Sequence, residues 1–242
     1  MIYGRQVAFV AAESDLCTMD WNARILFKDM YFVIVEKPFL MLSQADKKGE
    51  KGVNELLYEH LGKPNYWHLL QRVDRVAGGV MTITLSKRVA LAMQQQQVDR
   101  SIEKTYLVVT EQTPDVPKAR LEHYMKRVGG SQRFRVFAEK VPGAKSAILE
   151  YKVLQTREKR SLVEVKLITG RTHQIRAQLS SIGCTVVGDK KYGKTRWLDD
   201  HSICLFSKSV SFQHPLTGKK VTATAKYPTE REVWKDFEYQ EE

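Results

Sequence analysis

Hydrophobic and polar positions along the chain fall into short runs whose period changes several times. "RILFKDMYFVIVEKP" sets two apolar runs on either side of Lys28 and Asp29 and closes at Pro38, the pattern of a strand pair near 24–27 and 31–36. In "GVNELLYEHLG" the residues Val53, Leu56, Leu57 and Leu61 recur at helical intervals, and Gly62 supplies a stop. "VMTITL" then alternates as a strand does. Ser86 is placed to cap a helix through "KRVALAMQQQQV", whose glutamines read as a solvated face, and "EKTYLVVT" returns to strand.

Further along, "EHYMKRVGGSQRFRVFAEK" predicts two strands around a Gly-Gly turn, with Arg133 and Arg135 on one face and Phe134 and Val136 on the other. Such a hairpin serves equally as an ordinary exposed ribbon or as a basic arm for RNA. "SAILEYKVLQT" and "SLVEVKLIT" read as two more strands, and "ICLFSKSVSF" with "KKVTATAKYP" as a late hairpin across "QHPLTG". Between them Thr172 is placed to cap a helix from about His173 to Ile182, which Gly183 ends. At about 100° per residue, Ile175, Leu179 and Ile182 form its core stripe and Arg176 lies half buried at the edge. A guanidinium there needs a carboxylate partner, because an unpaired buried charge is strongly unfavourable. Strands outnumber helices, the links between strands are short, and there is no internal repeat or Pro- or Ser-rich linker. The pattern predicts an α+β fold with a mainly antiparallel sheet.

Composition narrows the partner. The 242 residues carry 39 Lys and Arg against 28 Asp and Glu, a net charge of +11. From Thr229 onward six acids face two bases, so this ending carries −4 and the first 228 residues +15. A basic body points to a polyanion. No basic amphipathic helix with a clear apolar face suggests a membrane surface, and no apolar run approaches the roughly 18 residues of a span. The N-terminus lacks the layout of a secretory signal, so a cytoplasmic location is expected. Cys17, Cys184 and Cys204 are far apart with no C-x-x-C, which predicts reduced thiols and no metal site, with Cys184 a small buried apolar residue. A DNA-binding regulator fails for want of a helix-turn-helix or finger pattern.

Two stretches are dense in chemistry. "HLLQRVDRVAGGVMTIT" sets Asp74 between Arg72 and Arg75 ahead of a glycine pair, an arrangement that in isolation is usually a solvated ion pair. "GRTHQIRAQLSSIGCTVVGDKKYG" surrounds Arg176. This second stretch resembles the signature of the RluA-type pseudouridine synthases, G-R-T-H-Q-I-R-x-H-L-x-x-I-G-H-P-I-x-G-D-x-x-Y-G. "QRVDRVAGGVMTIT" is similar to that family's H-R-L-D-R-x-T-S-G-L-x-L, "YFVIVEKP" to its opening strand ending in N-K-P, "EKTYLVV" to its K-x-Y-L strand, and "VSFQHPLTGKKVTATA" to its closing hairpin. The five matches keep the family's order over about residues 24 to 228. Gln71 stands where the family has His, Ala77-Gly78 where it has Thr-Ser, and Gln178, Cys184 and Thr185 where it has His, His and Pro.

The resemblance implies a pseudouridine synthase fold, a large mainly antiparallel sheet flanked by helices with a central active-site cleft. It divides the chain into an N-terminal extension (1–23) too short for an S4 module, a catalytic domain (24–228) and an acidic tail (229–242), which is expected to be dispensable for chemistry. Trp234 and Phe237, three apart in that tail, can dock one helical turn on the body. The implied activity is isomerisation of uridine to pseudouridine in structured RNA (tRNA or rRNA), by a monomer, with no cofactor and no metal. Asp74 is implied as the essential group at the sugar, Arg176 as its charge partner, and Tyr106 as the ring that stacks on the flipped uracil. Arg72 fills the gap that the extruded uridine leaves, Arg171 positions, and Arg75, Arg133 and Arg135 add to the RNA surface. His173 reads as a structural residue of the turn. The alternative is a catalytically silent RNA-binding or RNA-folding module on the same scaffold, for which Gln71 and the missing Thr-Ser are the only support.

Overall fold

The alternating stretches pair into one 11-stranded sheet in a computed structural model, which describes residues 19–130, 133–193 and 198–239. Strands β1 (Ile25–Lys28) and β2 (Phe32–Lys37) form the first hairpin, and β2 lies beside β4 (Gly78–Thr84), which the short β3 (His68–Leu69) also borders. The sheet continues through β10 (Leu205–Gln213), β5 (Glu103–Thr110), β9 (Arg160–Leu167), β8 (Lys145–Arg157), β6 (Lys118–Arg127) and β7 (Phe134–Phe137), with β11 (Lys220–Thr224) paired back on β10. Among these pairings only β4 with β10 is parallel. Four short α-helices accompany the strands in the described residues: α1 (Val53–His60), α2 (Lys87–Val98), α3 (Gln174–Ser181) and α4 (Glu232–Lys235). The expected α+β class with a mainly antiparallel sheet is the observed one.

Period-two patterning sorts the central strands between two layers. Phe32 and Ile34 of β2 and Val80 of β4 join the principal core with α2, α3 and α4. Val33, Val35, Met81 and Ile83 face the other way, against Val53 and Leu57 of α1. Every residue of β4 is buried, Thr82 and Thr84 included, so the alternation in "VMTITL" marks two covered faces. The glycine pair that opens β4 follows from close approach. A Cβ on Gly78 would lie 2.7 Å from the Phe39 ring, and one on Gly79, at φ +105°, 2.1 Å from the Ser207 carbonyl oxygen.

Several local expectations change. Ser86 occupies the N-cap of α2, yet its side chain makes no capping hydrogen bond. Thr172 does not cap α3; His173 holds that position in left-handed geometry, φ 56°, and the Gln174 carboxamide oxygen accepts from Arg171 N–H instead. The glutamine run of α2 is more than a solvated face. Gln97 Nε2 donates to Leu70 O at 3.0 Å and Gln96 Nε2 to Gln213 O at 2.8 Å, tying the helix to neighbouring chain. Cys184 is buried, as its apolar reading requires.

In the basic hairpin, Phe134 and Val136 pack inward on Met125, Ala147 and Ala177 while Arg133 and Arg135 face solvent. Residues 131–132 of its turn and 1–18 of the N-terminal extension lie outside the described residues. The acidic ending docks as one turn: Trp234 is 1% exposed, Phe237 is buried with it, and both belong to the principal core. No helix among the described residues is long and apolar enough to cross a membrane.

Candidate active site

Asp74 lies in the loop between β3 and β4, and that loop is pinned from below. Ser43 Oγ donates to Val73 O at 2.6 Å and accepts from Val73 N–H at 2.9 Å. The Lys37 ammonium, buried under the loop, donates to Pro38 O, Met41 O and, at 3.4 Å, Arg75 O. Ala77 N–H closes a turn on Asp74 O at 3.0 Å. With its backbone held at three points, the loop presents the Asp74 carboxylate to a cleft of about 920 Å³.

Arg176 reaches that carboxylate from α3, donating from Nη1 to Asp74 Oδ2 at 2.8 Å. Its other edge makes a two-pronged contact with Asp189, Nε to Oδ2 at 2.6 Å and Nη2 to Oδ1 at 2.8 Å. Asp189 is fully buried and also accepts from the N–H groups of Lys191 and Tyr192. Arg176 itself is 5% exposed, deeper than the half-buried position its place on the helical wheel predicts. The reason is this second carboxylate, which makes burial of the guanidinium tolerable. Burial alone would lower the Arg176 pKa, but hydrogen bonding to Asp189 and the charges of Asp74 and Asp189 outweigh it and hold the group protonated.

His173 contributes from the left-handed turn ahead of α3. Its Nδ1 lies 3.0 Å from the Tyr192 hydroxyl, which in turn accepts from Phe134 N–H, and its Nε2 is 3.9 Å from Asp74 Oδ2. The Tyr192 hydroxyl can donate to Nδ1, and in that tautomer the imidazole proton sits on Nε2, facing Asp74. Burial holds the His173 pKa below the usual histidine value, against the pull of Asp74. The structural reading of His173 therefore gains a second aspect, proximity to the carboxylate.

Tyr106 of β5 forms another wall, 7% exposed, with Lys104 on the same strand face lining the same cleft. Burial pushes the Tyr106 phenol up to about 12, with hydrogen bonding to Ser207 opposing. Such a group is a poor base near neutrality, which favours stacking over proton removal.

Of the eight residues singled out from sequence, six line this one cleft: Arg72, Asp74, Arg75, Tyr106, Arg171 and Arg176. Arg75 is engaged, its Nη1 2.9 Å from Glu50 Oε2, and Arg171 Nε donates to Ser146 O. Arg133 and Arg135 lie outside the cleft lining, the first over the Tyr192 ring at 5.8 Å and the second over Phe137 at 5.3 Å. Sequence reasoning missed Asp189, Lys37 and Tyr192 as parts of the site. All three stand in the quoted motif stretches, and the need of a buried guanidinium for more than one acceptor was the signal for Asp189.

Comparisons with known proteins point to one family. The profile of a family described as RNA pseudouridylate synthase matches residues 31–181. The chain is 28% identical over 217 residues to ribosomal large subunit pseudouridine synthase C of Buchnera aphidicola, covering 85% of this chain and 67% of that one. It is also 28% identical over 240 residues to tRNA pseudouridine synthase C of Vibrio parahaemolyticus, covering 90% and 96%. The solved structure of Human RNA Pseudouridylate Synthase Domain Containing 4 shares the fold at a TM-score of 0.70 and 21% identity, over 86% of this chain and 90% of that one. With a profile match across most of the sheet and a carboxylate clamped by arginine at the centre of the cleft, the chain belongs to the RNA pseudouridylate synthase family.

Proposed function

We propose that the cleft accepts a uridine extruded from structured RNA and that Asp74 acts at its sugar, as nucleophile or as base, while N1–C1′ is cut and C5–C1′ is formed. The reaction is an isomerisation, so every atom of the nucleotide is retained and the proton leaving C5 is balanced by one gained at N1. The observation that carries the reading is the Asp74–Arg176 contact at 2.8 Å, with Arg176 locked in turn by Asp189. A guanidinium already oriented by a buried carboxylate holds Asp74 in one geometry without reorganisation during the reaction.

The surroundings suit the substrate. Arg72, Arg75, Arg100, Lys104, Arg171 and Arg176 line the cleft against the single carboxylate Asp74. Such a surface attracts phosphates, Tyr106 offers a ring face to the uracil, and the exposed Arg72 is placed to occupy the gap in the RNA stack. The relatives' names divide between ribosomal and transfer RNA, and both are substrates to test. Ala77 and Gly78, which depart from the family pattern, are buried packing positions, so they give little weight to a silent RNA-folding module.

Asp74→Asn tests the proposal, since it is nearly isosteric and removes the negative charge. Pseudouridine formation on unmodified transfer and ribosomal transcripts is expected to fall at least about a hundredfold while RNA binding persists. A folded Asp74→Asn protein that retains more than that overturns the assignment.

A further inference from the structure

The junction between α2 and β5 carries features that the chemistry above leaves unused. α2 ends in a paired turn in which Ser101 N–H donates to Gln96 O at 3.0 Å and Arg100 N–H to Gln97 O at 3.3 Å, which places Arg100 at φ 59°. Glycine is the usual occupant of this left-handed position, because a Cβ there is sterically penalised. An arginine at the same point needs another reason. Its side chain is exposed on the cleft lining and has no acidic partner among the described residues. Asp99 accepts from Gln95, and Glu103 pairs with Lys220, so the acids nearest in sequence are engaged elsewhere.

Lys104, four residues on, lines the same wall and is half buried. It too has no hydrogen bond or ion pair among the described residues, and burial lowers its pKa with no carboxylate opposing. Val98, the last residue of α2, is 73% exposed and lines the same cleft. Lys104 lies two strand positions from Tyr106, roughly 7 Å along β5, so these groups begin where the stacking site for the target base stops. The cavity, at about 920 Å³, falls near the top of the range of about 300–1,000 Å³ typical of pockets that enclose whole small ligands.

We propose that the α2–β5 junction is a subsite for the nucleotide adjacent to the target uridine, with Arg100 and Lys104 taking its phosphate and Val98 the face of its base. The inference rests on the reading of the cleft as a pseudouridine synthase site and adds to it a second bound nucleotide. Unpaired cations lining one cleft with an exposed apolar side chain match a phosphate joined to a base, and they need no sequence-specific contact.

The left-handed geometry makes the test selective. Arg100→Gly relieves the steric penalty, so its melting temperature is expected to equal or exceed that of the wild type. Binding of fluorescent oligouridylates of one and three nucleotides is then compared. The advantage of the trimer over the monomer is expected to fall about tenfold in Arg100→Gly and in Lys104→Gln and to return largely in Arg100→Lys, with the salt slope reduced by about 1 in each charge-removing variant. On full transcripts KM rises about tenfold and kcat changes less, the signature of a contact present before and during the reaction. An unchanged trimer advantage in both charge-removing variants overturns the subsite. A wild-type protein that forms no pseudouridine overturns the functional reading instead, and the oligouridylate comparison, which needs no turnover, still judges the subsite by itself.

Discussion

Lys37 sits beneath the Asp74 loop with its ammonium enclosed by the carbonyl oxygens of Pro38, Met41 and Arg75. It is 1% exposed, and burial draws its pKa down from 10.5 to about 7, with Asp74 opposing and Arg75 reinforcing. The folded value lies below the unfolded one, so between about pH 7 and pH 10.5 the unfolded chain holds the extra proton. Stability from this group is therefore present above that window and lost as pH falls toward 7. Lys37→Met removes the titration and leaves three carbonyls without their donor. Urea unfolding should show the wild type gaining stability relative to this variant between about pH 7 and about pH 9. Parallel profiles for the two proteins would mean that the buried ammonium does not titrate there.

At the scale of elements, α4 is the clearest case of tertiary packing overriding local composition. It lies in the acidic ending, where the spacing of Trp234 and Phe237 predicts one docked turn, and a four-residue helix has no stability by itself. It is held because Trp234 meets the rings of Phe206 and Tyr227 at centroid distances of 6.3 and 5.6 Å, and Tyr227 Oη donates to Trp234 O at 3.0 Å. Arg231 adds a contact with the Phe39 ring at 4.0 Å and an ion pair with Asp200. Trp234→Ala is expected to cost about 3–5 kcal/mol in unfolding free energy, the usual penalty for emptying a large core site. A cost below about 1 kcal/mol would return the segment to the status of a loose tail. The glutamines of α2 teach the converse lesson. A polar run looks solvated in sequence, but Gln97 donates to Leu70 O and Gln94 lies 3.2 Å from His68, both in the segment that leads into the Asp74 loop.

For the molecule as a whole, charge and shape act together. The first 228 residues carry +15, yet what focuses that charge is a cleft in which Arg72, Arg100, Lys104 and Arg171 have no carboxylate partner among the described residues. Each such cation that meets a phosphate releases a counterion. For a single strand the slope of log affinity against log salt is about −0.7 per contact, so a slope steeper than about −2 is expected for unmodified transcripts. A flat dependence would show that the basic surface is not the RNA surface. The same measurement on a protein lacking the charges of Arg133 and Arg135 separates the hairpin from the cleft, since those two side chains stand outside it.

What the sequence determined by itself was local. Period-two and helical spacing specified three of the helices and every strand but the two-residue β3, because burial selects one face of an element over a few residues. The motif resemblance pointed to Asp74, Arg176 and Tyr106, which do line one cleft. Tertiary structure decided the partners. Asp74 and Arg176 are 102 residues apart, and they meet because the chain runs β4, β10, β5 and β9 side by side. The pairing of Arg176 with Asp189, of Arg75 with Glu50, the enclosure of Lys37 and the burial of every residue of β4 all depend on that order. A periodic pattern records which side of an element avoids water, but the identity of the group across the gap is set only when the sheet closes over it.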